Sequence, residues 1–465
     1  MATKKNKDMT PEFYSKLKQI DSFAKVAQKT KRVPVMTAVK DKATICKYLE
    51  QPLQNREKLI ELSNLFEHKN GYYKRFLLYM ANLPTYNSMI IPASLEEPNT
   101  LRDGYTLANS MVAKLNLKNS LPMFAYSILK NGVGYFYEIE DKESISYKEI
   151  PAQWCRVSYV DNGVYRFEVN IRKINNQDLE FYPKEFTLRK DACDNEGWLQ
   201  LSDKAFALPF NNNPYATPVF STLFPGLYDV EMNKLTNYED MKEDKTKMIH
   251  CNLPTDDEGD LIMDLDTVKI FLQMLKDNLP HNVKATATPF KTDALKVQDS
   301  NTSTERNVME ILTQSSFNEA GISELLFNNK DNSEGLKMSI RKDEVTIYNS
   351  IMPLFDNYIN YKINKVDKRF KAKVLRSSYF SQGEDIKNAL NVMNLGGSRT
   401  YVMALLGFNP LETENLLLME QQVLNVNELF TPPASAWNSS MKDREKNIEN
   451  SGEAVKDTGR PKNEE

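Results

Sequence analysis

The acidic stretch TDDEGDLIMDLD at residues 255–266 holds the side chains that point most directly to chemistry. Its carboxylates are oxygen ligands of the kind that divalent cations prefer. Five of its residues are aspartates: Asp256, Asp257, Asp260, Asp264 and Asp266. The stretch lacks the ligand spacing of an ion-wrapping loop, which places a glycine at the sixth position. The pattern therefore favours a hydrated turn, followed by a helix with Asp266 as its N-cap, over a metal site.

Other catalytic patterns do not occur in the sequence. It contains no phosphate-binding GxxxxGK[ST] string and no GxSxG nucleophile elbow. The three histidines are far apart and lack zinc-binding spacing: His68, His250 and His281. The four cysteines form no CxxC pair and are predicted to be reduced thiols: Cys46, Cys155, Cys193 and Cys251. We expect no metal, no cofactor and no enzymatic activity.

Composition limits the class of partner. The chain has 60 basic and 63 acidic residues and a net charge of -3, whereas tight nonspecific binding to nucleic acid requires an excess of lysine and arginine. The 22 tyrosines, 22 phenylalanines and 3 tryptophans alternate with aliphatic residues, which favours core packing over base stacking. No apolar run approaches the roughly 20 residues that span a bilayer, and no apolar core follows the basic N-terminus. These features predict a cytoplasmic protein without a secretory signal.

The elements that position such residues follow a clear order in the first half of the chain. With 465 residues, the chain is expected to form two to four structural units. Helical periodicity runs through residues 41–93, including YYKRFLLYMANLPTYNSMIIP, where Pro84 and Pro92 bracket the exit from the last helix, and again from Leu101 to Leu117. From Gly132 the pattern changes to strand-like alternation, and a hairpin is predicted around Asp161-Asn162-Gly163. The sequence thus predicts a β-rich segment after an α-rich flank.

The second half of the chain is mainly helical in pattern. A helix is predicted from Tyr215 to Met248, and strands at Lys247–Leu253 and Asn282–Phe290 enclose a helix at Asp266–Asp277. Helices follow at Ser303–Phe317 and from Gly335 to about Lys365, with a kink or break at Pro353. An apolar stripe marks the buried face of the last helix: Leu336, Ile340, Ile347, Ile351, Leu354, Phe355, Tyr358 and Ile359.

The two ends of the chain are polar. Residues 1–40 form a basic arm with helical apolar spacing, which fits a solvated terminal helix and a partner-binding arm equally well. Residues 438–465 hold too few apolar side chains to offset the entropy of ordering, so a disordered tail is predicted.

This order of units resembles the portal proteins of tailed bacteriophages. Three stretches are similar to segments of that family: YYKRFLLYMANLPTYNSMIIP, AYSILKNGVGYFYEIED with the following YKEIPAQWCRV, and STERNVMEILTQSSFNEAGISELLFNN with SEGLKMSIRKDEVTIYNSI. The terminal TGRPKNEE is similar to a common portal tail. The resemblance extends over about residues 40–465.

The resemblance implies an α+β portal-type fold with a mixed α/β wing, two stem helices, a small αβ clip, a long wing helix and a helical crown. The implied assignments are 41–214 wing, 215–246 stem helix, 247–299 clip, 300–325 stem helix, 326–335 tunnel loop, 336–380 long wing helix and return, and 381–437 crown.

The same resemblance implies the partners and the site residues. Identical subunits form a ring, usually a dodecamer, at one capsid vertex of the virion after assembly in the host cytoplasm, and double-stranded DNA passes through it. Implied protein partners are the major capsid protein, the terminase large subunit, a head-tail adaptor and a scaffolding protein. The tunnel loop that faces DNA comprises Asn328, Asn329, Lys330, Asp331, Asn332 and Ser333, with Lys330 as its only cation. The clip acids that dock terminase or adaptor are Asp256, Asp257, Glu258 and Asp260.

Two other classes of function remain open from the residues. The helices are compatible with a non-viral structural or scaffold oligomer, for which a small or open assembly is expected. Asp264 and Asp266 are compatible with a metal-dependent nuclease, for which DNA cleavage is expected.

Overall fold

The computed structural model describes residues 41–93, 98–174, 182–188, 193–244, 247–252, 283–288 and 333–425, together with the helical positions Ile270, Gln273, Met274 and Ser315. Helices and strands are mixed along the chain, which confirms the α+β class. The basic arm at 1–40 and the polar tail at 438–465 lie outside the described residues.

An α-rich layer begins the described chain. Its elements are α1 (Lys42–Glu50), α2 (Arg56–Lys69), α3 (Gly71–Asn82), β1 (Ser88–Pro92), α4 (Pro98–Leu115) and α5 (Leu117–Asn131). Side-chain caps fix two of the helix starts, because Asp41 accepts from the amide of Thr44 at 2.7 Å and Asn70 from that of Tyr73 at 2.9 Å.

The exit from the last helix of the flank, predicted between Pro84 and Pro92, contains a strand. Helix α3 ends at Asn82, and SMIIP at Ser88–Pro92 forms β1, which pairs antiparallel with β10 (Phe370–Val374). Its β-branched isoleucines favour a strand once a partner strand is available.

An antiparallel sheet follows and divides the interior. Its strands are β2 (Val133–Glu140), β3 (Ile145–Glu149), β4 (Cys155–Asp161), β5 (Val164–Asn170), β6 (Trp198–Gln200) and β7 (Ala205–Pro209), in the order β3-β2-β7-β5-β4, with β6 on β5. The short helix α6 (Lys184–Leu188) lies between β5 and β6 in the chain. The alternation predicted for β2 is present, and both faces of the strand are buried. Phe136 packs into the larger hydrophobic core and Tyr135 into the smaller one.

Two glycines make the sheet connections possible. The predicted hairpin joins β4 to β5 through Asn162 and Gly163, which both have positive φ, as a tight two-residue turn requires. Gly132 ends α5 with φ +79°, and a Cβ there would stand 2.4 Å from the carbonyl oxygen of Thr217. The chain therefore passes directly over this turn.

The helix predicted from Tyr215 to Met248 is shorter than expected. Helix α7 runs only over Phe224–Asp244, and Met248 belongs to a strand. The predicted strand pair is confirmed as β8 (Lys247–Asn252) and β9 (Val283–Thr288), which run parallel. Ile270 is helical in the segment between them, and parallel strands need such a crossover.

The long helix predicted from Gly335 to about Lys365 is two helices, α8 (Ser333–Ser350) and α9 (Met352–Asn364). The predicted break is confirmed, since Pro353 stands in the first turn of α9, where its missing amide hydrogen is tolerated. The apolar stripe is buried as predicted from Ile340 onward, and Leu354 is 2% exposed.

Three short helices end the described chain: α10 (Gln382–Asn394), α11 (Arg399–Leu406) and α12 (Pro410–Leu418), followed by a π-type turn at Met419–Val423. We call residues 382–424 the terminal helical unit. Asn409 and Glu412 form a reciprocal capping box that starts α12. The core of the unit is small and consists of Leu375, Ala389, Val402, Ala404 and Leu405, with Met89 of β1 packed against it.

Candidate interaction surfaces and the junctions behind them

The site residues implied by the resemblance fall almost entirely outside the described chain. The tunnel-loop positions 328–332 and the clip acids at 256–258 and 260 lie there, as do Asp264 and Asp266. Ser333 is the first residue of α8. The structure therefore describes strands β8 and β9 on either side of the acidic residues and helix α8, which begins at Ser333, after the tunnel-loop positions.

A buried ionic junction fixes α9 on the sheet. Lys362 donates to the carboxylate of Glu138 on β2, and the hydroxyl of Tyr358 donates to the other carboxylate oxygen at 2.9 Å. The Tyr358 hydroxyl also lies 3.1 Å from that of Tyr147 on β3. Burial raises the pKa of the Glu138 carboxyl, and Lys362 and Tyr358 oppose that shift. Removing either Lys362 or Glu138 is expected to destabilise the fold strongly, because the other charge is then buried without a partner.

A second junction centres on Arg166 of β5, whose side chain is 2% exposed. Its guanidinium donates to the carbonyls of Asp203 and Ala205 at 2.6 and 3.0 Å and to the Asp161 carboxylate at 3.1 Å. The same guanidinium lies 4.8 Å from the ring centre of Tyr361 on α9. Arg166 therefore joins the β4–β5 hairpin, the start of β7 and α9 around one buried cation.

A third polar cluster joins α8 to the chain that enters the terminal helical unit. Ser378 donates to Glu344, and Ser377 donates to Asp385 at 2.8 Å. On the preceding residue of α8, Asp343 accepts from the hydroxyl of Tyr79 at 3.0 Å, and burial raises the pKa of the Asp343 carboxyl to about 6. The two serine hydroxyls and the Tyr79 hydroxyl donate to these carboxylates without adding charge.

The terminal helical unit exposes many apolar side chains for its size. Leu395, at the C-terminus of α10, is 90% exposed and Val423 is 71% exposed. Further exposed apolar residues of the unit and of the turn before it are Tyr379, Phe380, Leu390, Val392, Tyr401, Leu406, Phe408, Leu417, Met419 and Leu424. Apolar surface of this extent marks an interaction site when it is contiguous.

Two clefts separate the terminal helical unit from α4 and α5. They have volumes of about 130 and 390 Å³, and the side chain of Lys118, which donates to the carbonyl of Gly407, stands between them. Asn87 and Tyr86 line both clefts. Beside the clefts, two polar links join the unit to the preceding layer: Asn87 donates to the carbonyl of Leu405 at 3.1 Å, and Lys118 donates to that of Gly407.

Within the part of the chain that the structure describes, no group of three histidine, cysteine or acidic side chains is placed to hold a metal ion. No helix in that part is long and apolar enough to cross a membrane. Cys46, Cys155 and Cys193 are free thiols, as predicted.

Sequence reasoning missed the junctions and the exposed apolar surface. Glu138 stood in an alternating strand, and an acidic residue at an inward position is a usable signal of a buried partner. Its partner Lys362 lies 224 residues away, so no local pattern connects the two.

Comparisons with known proteins give matches in structure only. No protein-family model matches the sequence, and no curated protein matches it. The chain is structurally similar to chains from three structures of gene transfer agent (GTA) particles, each at 9% sequence identity.

In the neck of an empty particle, computed with C6 symmetry, the match covers 74% of this chain and 93% of the other, with a TM-score of 0.40. In the virion of a native particle it covers 72% and 88%, with a TM-score of 0.38. In the neck of a native particle, computed with C12 symmetry, it covers 75% and 93%, also with a TM-score of 0.38.

Proposed function

We propose that this chain is the subunit of a closed homo-oligomeric ring at one vertex of a capsid, acting as a portal-type head-to-tail connector with no chemical step of its own. The observation that carries the proposal is the apolar surface of the terminal helical unit, which includes Leu395 and Val423. A second copy of the chain would remove that surface from water. Heterologous contacts of this kind generate rings when the rotation between subunits closes.

The order of elements supports the same proposal. A mixed α/β body, helix α7, the parallel strand pair β8–β9, helices α8 and α9 and the terminal helical unit follow one another, which is the order expected of a portal-type subunit. In this assignment 41–214 and 336–380 form the wing, 215–246 and 300–325 the stem, 247–299 the clip and 381–437 the crown. The loop at 326–335 faces the tunnel.

The partners follow from this architecture. The ring is a dodecamer that conducts double-stranded DNA during packaging and ejection and is set in the major capsid protein, with a scaffolding protein assisting assembly. The clip acids Asp256, Asp257, Glu258 and Asp260 dock the terminase large subunit during filling and the head-tail adaptor afterwards. The buried junctions at Glu138 and Arg166 keep the body rigid, so that the repeated contacts remain in register.

The test is imaging of the purified full chain, viewed end-on, together with native mass spectrometry. A closed ring is expected for the wild type. Leu395→Asp combined with Val423→Asp is expected to leave a folded subunit that no longer closes rings, because charges then occupy the contact surface. The matched control is Met338→Asp on α8, which changes an equally exposed apolar residue outside the terminal helical unit.

Other outcomes would overturn the proposal. A small or open assembly of the wild type would favour a structural oligomer of another kind. Metal-dependent DNA cleavage that is lost in Asp264→Ala would favour a nuclease.

A further inference from the structure

A strip of positive charge lies on and beside β10. Over residues 367–376 the sequence has five cationic side chains and one acidic side chain. Asp367 and Arg369 pair with each other at 2.7 Å, which leaves four exposed cations: Lys368, Lys371, Lys373 and Arg376. None of these four forms an ion pair with another residue that the structure describes. We call these four residues the basic strip.

The strand geometry places two cations of the strip, Lys371 and Lys373, on one surface. The burial of β10 alternates, with Phe370, Ala372 and Val374 inward and Lys371 and Lys373 outward. Residues two apart on a strand point to the same face and are about 7 Å apart. The two lysines therefore project side by side, away from α9.

The partner strand locates the strip next to the terminal helical unit. Lys373 is opposite Met89 of β1, which packs against the core of that unit, and Lys371 is opposite Ile91. The Asp356 carboxylate accepts from the amide of Val374 at 2.8 Å, and burial raises the pKa of this carboxyl while the charges of Lys373 and Arg376 oppose that shift. Asp356 is partly buried beneath the strand, so the outward positive charge remains available.

The residue types favour a phosphate backbone as the occupant over an acidic protein. Protein interfaces are depleted of lysine and enriched in aromatic residues and arginine, whereas three of the four cations in the strip are lysines. Lysine binds phosphate as a point charge. The outward face of β10 carries no aromatic side chain for base stacking, so a contact to the backbone of duplex DNA fits better than one to single-stranded bases.

We propose that the basic strip is a sequence-independent contact for double-stranded DNA, made by each copy of the chain. The inference rests on the proposed function, which brings DNA to the ring. Each contact is weak because it neutralises few phosphates. The net charge of the chain is -3, so the rest of its surface is not expected to bind DNA tightly. Repetition around a ring adds the contacts together, which guides DNA without arresting it.

The experiment measures binding of a short double-stranded DNA to the full chain by fluorescence anisotropy over a series of salt concentrations. Lys371→Gln combined with Lys373→Gln is expected to weaken binding on the order of tenfold at low salt and to reduce the salt slope by about 2. The matched control is Lys204→Gln combined with Lys387→Gln, which removes the same charge from two other exposed positions. The control is expected to bind DNA like the wild type.

Three results would overturn the inference. They are absence of DNA binding by the wild type, an equal loss in the control variant, and equally tight binding of polyglutamate, which would make an acidic polypeptide the occupant. End-on imaging of the same samples separates this inference from the proposed function. If the chain forms rings but its DNA binding does not depend on the basic strip, only this inference is overturned. If DNA binding depends on the strip but no rings form, only the ring proposal is overturned.

Discussion

Lys362 of α9 donates to the carboxylate of Glu138 of β2 in the interior of the protein, although 224 residues separate the two in sequence. The pair is almost fully buried, with the hydroxyl of Tyr358 as an additional donor. It links an element formed early in the chain to one formed late, and it does so by charge rather than by apolar packing alone.

Lys362→Met is expected to lower the free energy of unfolding by about 3–5 kcal/mol, because it leaves the Glu138 carboxylate buried without its cation. Glu138→Gln combined with Lys362→Met is expected to restore part of that loss. Chemical denaturation of the three proteins measures the difference. The control is Arg341→Met, which breaks the exposed Arg341–Glu384 pair and is expected to cost less than about 1 kcal/mol. Equal losses in the two single variants would contradict the ionic role of the buried pair.

Asp343→Asn is expected to flatten the pH dependence of stability between about pH 4 and about pH 6. Burial raises the folded pKa of Asp343 to about 6, above the value of about 4 in an unfolded chain. The folded protein therefore binds more protons than the unfolded chain in that window, and the contribution of Asp343 to the free energy of unfolding falls as the pH rises.

At pH 7 the asparagine variant is expected to be more stable than the wild type by about 1 kcal/mol, since a buried charge is removed while an acceptor for Tyr79 remains. Thermal unfolding at a series of pH values measures both effects. Glu384→Gln, which removes a carboxylate at an exposed position, serves as the control. Parallel profiles for wild type and Asp343→Asn would show that Asp343 titrates normally.

Gly132→Ala is expected to destabilise the protein by about 2 kcal/mol or more, because the added Cβ meets backbone atoms of Ala216 and Thr217 at a residue with positive φ. Denaturant midpoints measure the loss. Gly383→Ala is the matched control, since a Cβ there meets no atom within 4 Å and alanine favours the helix. A neutral Gly132→Ala would show that Thr217 and its neighbours give way easily.

Deletion of residues 328–333 is expected to leave ring assembly intact and to impair packaging or retention of DNA, if these residues form the tunnel loop. A short polar loop contributes little buried apolar area, so its loss does not weaken the contacts between subunits. End-on imaging and packaging of DNA into capsids measure the two effects separately. Loss of rings in the deletion variant would contradict the assignment of the loop.

Local signals in the sequence predicted the local structure well. The hairpin at Asn162-Gly163 and the break at Pro353 each depend on the conformational limits of one or two residues, and both are present. The apolar stripe of α8 and α9 follows from periodicity alone, and it is buried from Ile340 onward.

Structure that depends on partners distant in sequence could not be predicted from local patterns. Ser88–Pro92 becomes a strand because β10 is there to pair with it, and that partner lies almost 300 residues further on. The segment Tyr215–Leu223 has apolar residues at helical spacing, yet it passes over Gly132 in an irregular path before α7 begins. The same limit applies to the candidate surface, because an apolar pattern in α10–α12 does not show which side chains stay uncovered in a single chain.

The pairing of β1 with β10 also delays folding during synthesis. Met89 of β1 pairs with Lys373 of β10, and at roughly 5–20 residues per second the ribosome needs on the order of 15–60 s to make the chain between them. The terminal helical unit packs against that strand pair and emerges later still. A nascent chain therefore displays the exposed apolar side chains of the terminal helical unit only when most of the described chain before it has been made, which delays contacts through that unit until each subunit is almost whole.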